Sequence, residues 1–349
     1  MFRHVNKILK KHCNKISKES KIEGIGIDSY SKKFNLTAHL SILAKGILNH
    51  NDLTDIVYNN GISKSQLSKL NNKRPYSIFE KVFYSILNTF IKSHRYDIYH
   101  DYIDRLYSIL AIDSTFIETT VKGSGIYQRE KRKNGIKVHT AAIASPYPLP
   151  LKAIITPANL HDSKVFDDLL WHINEYISGN TVLTFDLGYY NLGRFIELKE
   201  KGINFVSRIK RNADYTVIKE ETFNSKIIEF NNGLILRLVT LYINNRKREY
   251  ITDILDLPEI YIYYIYMKRW VIEKIFENMK RILKITHLIS RDLNGIINQV
   301  FATLISYIVL LILQSSMTIY HTPAEIVRSI RNSKELDIDY NYFNNFNEI

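Results

Sequence analysis

Cysteine is nearly absent from the 349-residue sequence, with Cys13 its single representative. One thiol excludes an internal disulfide and a thiolate-built metal centre, and it fits a reducing compartment. The context of Cys13 does not mark it as a catalytic nucleophile. An apolar leader is also missing: MFRHVNKILKKHCNK places charges where a signal peptide needs an apolar run, so no export signal is expected. The longest apolar run, VFATLISYIVLLIL at 300–313, is fourteen residues, short of the roughly eighteen that suggest a membrane span. A buried helix and no membrane partner are expected there. Internal repeats and low-complexity tracts are lacking.

A hydrophobic content of 45% is enough for one large core or two smaller ones, so most of the chain folds, into two or three domains. Acids are outnumbered, 35 against 48 Lys and Arg, for a net charge of +13. Such a surplus suits a polyanion, because cations that neutralise phosphates release condensed counterions. The chain is rich in Lys, Asn, Ile and Tyr, and codon bias alone can raise lysine, so the distribution of charge tells more than its total. Residues 1–35 hold nine basic residues against three acids, 122–137 six against one, and 266–284 six against two. KRKNGIK, SRIKR and NNRKR fall in expected loops or strand ends, where a nucleic-acid groove could be lined.

Along the chain, DLTDIVYNNGISKSQLSKLNN at 52–72 reads as two short helices around a Gly61 turn, with Ser63 and Gln66 at capping-box spacing. A helix-turn-helix and a plain helical hairpin are both compatible with it. Residues 78–93 carry Phe79, Val82, Phe83, Ile86, Leu87 and Phe90 at helical core spacing. From about 107, LYSILAIDST, KVHTAAIAS and LKAIITP read as three strands. A helix over 163–177, a buried strand in TVLTFDLGYY, a helix ending at Gly202 and a strand in NFVSRI follow. That order is a mixed α/β sheet. Residues 212–251 alternate in β fashion, with hairpin signals at Asn231-Asn232-Gly233 and Asn244-Asn245.

Two acids interrupt this apolar pattern. Asp113 ends LYSILAI and Asp186 ends TVLTF, at strand C-termini, where open α/β sheets hold ligands. Each alone would serve equally well as a turn cap. A third candidate lies in YMKRWVIEKIFENMK at 266–280. At 100° per residue Tyr266, Arg269, Glu273 and Lys280 share an arc of roughly 60°. Ile272, Ile275, Phe276 and Met279 occupy the adjacent sector and expect a core. Converging Asp113, Asp186 and Glu273 would repel one another without a cation, and hard oxygen ligands suit Mg²⁺ or Mn²⁺. Two such ions about 3.5–4 Å apart support in-line phosphoryl displacement. Arg269 and Lys280 would then hold phosphates, and Tyr266 would donate its hydroxyl or stack.

The spacing Tyr266-x2-Arg269-x3-Glu273-x6-Lys280, with Trp270 after the arginine, resembles the YREK signature of insertion-sequence-four-type DDE transposases. IDST around Asp113, FDLGYYN around Asp186 and FVSRIKR resemble other blocks of that family, and the resemblance covers about residues 105–315. It implies an RNase H-like mixed sheet flanked by helices at 105–211 and 252–320, with Asp113, Asp186 and Glu273 as catalytic metal ligands for Mg²⁺ or Mn²⁺, two ions. It also implies a β-strand insertion at 212–251, consistent with the 87 residues between Asp186 and Glu273. Residues 1–104 are expected to form a basic, helical DNA-binding domain, and 321–349 a C-terminal tail. The resemblance implies Tyr266, Arg269, Trp270 and Lys280 as contacts to DNA, with double-stranded transposon ends and target DNA as partners and a homodimer in the synaptic complex. A prokaryotic cytoplasmic enzyme, nucleoid-associated during activity, follows from it. A relative stacks a flipped base on a tryptophan of its insertion. Tryptophan occurs here only at 171 and 270, leaving Phe223, Phe230, Tyr242 or Tyr250 as aromatic stand-ins. Glu277 is also on the stripe, but the signature spacing favours Glu273. His139 and His161-Asp162 rank lower as a metal or acid–base set, since single histidines near strands are ordinarily satisfied structural groups.

Overall fold

Among the described residues, runs rich in Val, Ile, Thr, Tyr and Phe between residues 108 and 252 become ten strands, as their β propensity dictates. They are β1 (Ser108–Glu118), β2 (Arg129–Glu130), β3 (Lys133–Ile143), β4 (Leu149–Pro157), β5 (Thr181–Phe185), β6 (Asn204–Arg208), β7 (Tyr215–Thr222), β8 (Ser225–Phe230), β9 (Ile235–Ile243) and β10 (Arg246–Thr252). The computed structural model describes residues 2–23, 27, 34–93, 103, 106–119, 129–130, 133–144 and 148–348. Most of the basic cluster at 122–137, and the expected boundary at 104–105, lie outside those residues.

The chain divides into two compact units, one of Tyr96–Phe116 and Gln128–Ile275, the other of Met1–Arg95, Ile117–Tyr127 and Phe276–Ile349. The first holds a single ten-stranded sheet in the order β2-β3-β1-β5-β6-β10-β9-β8-β7, with β4 also paired to β3. β1, β5 and β6 run parallel, and β10, β9, β8 and β7 form an antiparallel meander joined to β6 through β10. The 212–251 segment thus extends the sheet. Its hairpin turns form where expected: Asn244 and Asn245 take φ values of 49° and 58°, the left-handed values a two-residue primed turn requires, and Gly233 takes 78° at the single left-handed position of the longer loop after Phe230.

Every residue of β5 is buried, as for a parallel strand covered on both faces. Helices Phe166–His172, Leu192–Glu200 and Glu259–Lys268 pack on β4, on β6, and on β5, β6, β9 and β10 respectively. Asn191 caps the second by accepting from the Arg194 N–H, and Gly202 follows its end at a φ of 66°. The helix expected over 163–177 is shorter. Only Phe166–His172 is α-helical, between 3₁₀ turns at Asp162–Lys164 and Asn174–Tyr176. Asn174, and then Ser178, Gly179 and Asn180, are poor helix formers that end it.

The second unit is helical. Leu293–Ser315 is buried from Gly295 to Leu313. It is apolar all round and forms the axis on which Leu36–Asn49, Lys64–Lys73 and Tyr76–Ser93 pack. The fourteen-residue apolar run therefore belongs to a 23-residue helix, long and apolar enough to cross a membrane, and all fourteen residues of the run are buried in this unit. Two polar residues on it have definite work. Asn294 and Asn298 donate to the carbonyls of Asn71 and Arg74, groups that the end of Lys64–Lys73 leaves unpaired. Ser63 and Gln66 form the expected capping box at the start of that helix.

Candidate active site

The parallel register of β1 and β5 brings the two aspartates together. Ile112 pairs with Phe185 as the last matched position, so Asp113 and Asp186 are the next residues on adjacent strands. β1 continues to Glu118, which places Asp113 inside its strand, where the parallel pairing ends. Asp186 leaves β5 as the cap of the 3₁₀ turn Leu187–Tyr189 and accepts from the Gly188 N–H at 2.8 Å. Asp113 accepts from the Ser114 N–H at 2.8 Å through Oδ1.

Its other oxygen meets Arg269. The Arg269 Nη1 donates to Asp113 Oδ2 at 2.6 Å, and Nη2 lies 2.8 Å from Glu273 Oε1, one turn along the helix Trp270–Glu277. One buried guanidinium thus joins carboxylates from the sheet and the helix. Burial pushes the Asp113 carboxyl up to about 6; Arg269 and the Ser114 N–H oppose the rise, and Asp186 and Glu273 add to it. Burial also works against the Arg269 charge, but Asp113, Tyr266 and Glu273 outweigh it and raise its pKa. Among the described residues no three Asp, Glu, His or Cys side chains stand close enough to share an ion. Arg269 is seated between two of the three expected ligands, supplying positive charge where their repulsion calls for it. The donor set, carboxylate oxygens alone, has the hardness that Mg²⁺ and Mn²⁺ prefer.

The helix expected through 266–280 is interrupted. Glu259–Lys268 ends at Arg269, Trp270–Glu277 begins anew, and Asn278–Ile282 is a π-helical turn. Tyr266 is buried, with its ring 5.0 Å from that of Tyr250. Trp270 is half exposed, and the guanidinium of Arg269 lies 5.7 Å from both the Tyr266 and the Trp270 ring. Lys280 belongs to the helical unit, on the π-helical turn, and burial lowers its pKa.

Beside Arg269 opens a cavity of about 510 Å³ whose lining includes Arg208, Arg246, Arg248, Tyr250, Tyr266 and Trp270, with no acid among its wall residues. The basic runs SRIKR and NNRKR signalled three of these arginines in the sequence. Of the aromatic stand-ins, Tyr250 lines this cavity, Phe230 is buried, and Phe223 and Tyr242 are exposed on the hairpins. His139 is buried, with Nε2 2.8 Å from Thr156 Oγ1 and Nδ1 3.4 Å from the Tyr189 hydroxyl; burial lowers its pKa to about 4, so it is neutral at pH 7. Asp162, by contrast, contacts Ser114 beside Asp113, a placement no local sequence pattern signals.

Residues 104–309 match the family described as the transposase DDE domain. The chain is 27% identical over 264 residues, 71% of each chain, to a Synechocystis sp. protein named as the transposase for insertion sequence element IS4SA. It is 26% identical over 271 residues, 70% of this chain and 69% of the relative, to a Sinorhizobium fredii protein named as transposase y4zB. A cryo-EM structure of a piggyBac transposase synaptic complex with hairpin DNA aligns at 11% identity with a TM-score of 0.47, over 99% of this chain and 77% of that one. The chain belongs to the transposase DDE domain family and is an insertion-sequence-type transposase, an enzyme of DNA cleavage and strand transfer.

Proposed function

We propose that this transposase binds the terminal inverted repeats of its own element and carries out metal-dependent cleavage and strand transfer, with Asp113, Asp186 and Glu273 as ligands of two Mg²⁺ or Mn²⁺ ions. The observation that carries this reading is the Ile112–Phe185 register, which sets Asp113 beside Asp186, with Glu273 tied to Asp113 through Arg269. When bound, the ions would activate a water or a 3′-hydroxyl for attack on phosphorus and stabilise the leaving oxygen. Asp113, Asp186 and Glu273 orient that charge. Arg269 neutralises Asp113 and Glu273 before DNA arrives, and Arg208, Arg246 and Arg248 hold the phosphates of the strand. Tyr266, Trp270 and Lys280 complete the DNA contacts of the YREK signature, with Trp270 exposed enough to stack on a base. The core β4-β3-β1-β5-β6, with β5 and β6 parallel to β1 and β4 antiparallel to β3, supports an RNase H-like fold.

On this reading residues 1–104 form a DNA-binding domain, the 212–251 strands are the family insertion, 321–349 are a tail, and two chains assemble on paired ends in the nucleoid. Asp113→Ala, Asp186→Ala and Glu273→Ala should each abolish cleavage of labelled transposon ends while leaving end binding intact. Cleavage at the wild-type rate in any one of them would sink the assignment.

A further inference from the structure

Asp162 lies on the link after β4, in the 3₁₀ turn Asp162–Lys164. Its side chain is about three-quarters buried, at 24% exposure, although two other carboxylates are close by. Such burial is costly for a charge unless something compensates it. Lys137 does so in part, its Nζ donating to Asp162 Oδ1 at 3.2 Å. The remaining contacts concern the active site. Ser114 Oγ donates to the same Oδ1 at 3.2 Å, and the Ser114 N–H is the group that holds Asp113. Oδ2 lies against Gly188, so close that a methyl group there would stand 3.2 Å from it, and the Gly188 N–H is the group that holds Asp186. One carboxylate therefore touches both backbone segments whose N–H groups orient the two aspartates.

We propose that Asp162 is a positioning residue that sets the separation of Asp113 and Asp186 by bracing the Ser114 and Gly188 turns, and so presets the site for a divalent ion. This rests on the metal-dependent reading above. Lys137 cancels the charge that a bare third acid would add beside the pair. His139, 3.7 Å from Oδ1, is neutral and closes the buried side. Gly188 admits Oδ2 because it carries no side chain.

The test is Mn²⁺ affinity, measured by isothermal titration calorimetry on the full chain without DNA, beside a thermal melt of each variant. Wild-type protein should show a site that Asp113→Ala abolishes. Asp162→Ala should weaken that site about tenfold or more, the usual effect of losing an outer partner of a ligand, in protein that still melts cooperatively. Asp162→Asn should stay nearer to wild type than Asp162→Ala does, since its amide oxygen still accepts from Ser114 and Lys137. Gly188→Ala should weaken binding by pushing Oδ2 away. Equal losses in Asp162→Asn and Asp162→Ala would reduce Asp162 to a remote charge and overturn the proposal, as would wild-type affinity in Asp162→Ala. If Asp162→Ala does not fold, unchanged affinity in Gly188→Ala overturns it instead. Absence of any Asp113-dependent Mn²⁺ site in the wild type would overturn this proposal and the metal reading together, a pattern distinct from the others.

Discussion

Asp113 holds its charge where burial disfavours it, and Arg269 is the residue that makes this tolerable. The guanidinium fork binds one oxygen of Asp113 and one of Glu273, a pairing that a lysine ammonium could not reproduce with the same planarity. The compensation is incomplete, since the carboxyl remains at about 6, above its ordinary 3.8. An acid raised in this way is protonated more readily folded than unfolded. Its ionisation cost is absent below pH 3.8, grows up to about pH 6 and is constant above. Metal-free protein should therefore lose stability across that window relative to Asp113→Asn, which does not titrate. Urea midpoints at pH 4 and pH 7 check this, and an unchanged difference between the two proteins would show that the Asp113 carboxyl is not perturbed.

At the scale of the element, the β9–β10 hairpin turns sequence alternation into a surface. Successive strand side chains point to opposite faces, so Arg246, Arg248 and Tyr250 share one face. All three line the cavity beside Arg269. Lys247 and Glu249 take the other face and pair at 2.7 Å. The Asn244-Asn245 turn fixes this phase, and a one-residue slip would exchange the faces. Arg246→Ala with Arg248→Ala should weaken binding to end DNA and to unrelated DNA alike, and lower the salt dependence of log K by roughly one per lost phosphate contact. Lys247→Ala should leave both unchanged. Fluorescence anisotropy over a salt series measures the slope, and a double variant with the wild-type slope would remove this face from the DNA path.

For the whole molecule, the family match at 104–309 covers the sheet unit from residue 104 and continues into the helical unit, through most of Leu293–Ser315. Catalytic chemistry and the buried axis of the helical unit thus belong to one stretch of sequence. The excess of 13 positive charges favours association with DNA over its whole length. Strand transfer of both ends requires two chains if each supplies one set of acids. Full-length protein mixed with pre-cut ends, target plasmid and Mg²⁺ should yield products with two ends joined to one target molecule. Light scattering of the protein–end complex should give the mass of two chains with two ends. A complex of one chain with two ends that still joins both would refute the homodimer.

Local pattern alone determined a good deal of this protein: the strands around Asp113 and Asp186, the capping box at Ser63, the Asn-rich hairpin turns, the buried apolar helix, and the spacing of Tyr266, Arg269 and Glu273. Each follows from periodicity, propensity or turn chemistry within a few residues. The break at Arg269 was not legible, because packing and backbone bonding override a regular 100° period, whereas the shortening of the 163–177 helix follows from poor helix formers that its period alone does not weigh. Only the tertiary structure decided the rest. It set the β1–β5 register, joined Arg269 to an aspartate 156 residues away, carried the 212–251 strands onto the main sheet, and brought Asp162 against Ser114 and Gly188. Those contacts depend on which buried charges find partners across long sequence separations, and no local repeat encodes that choice.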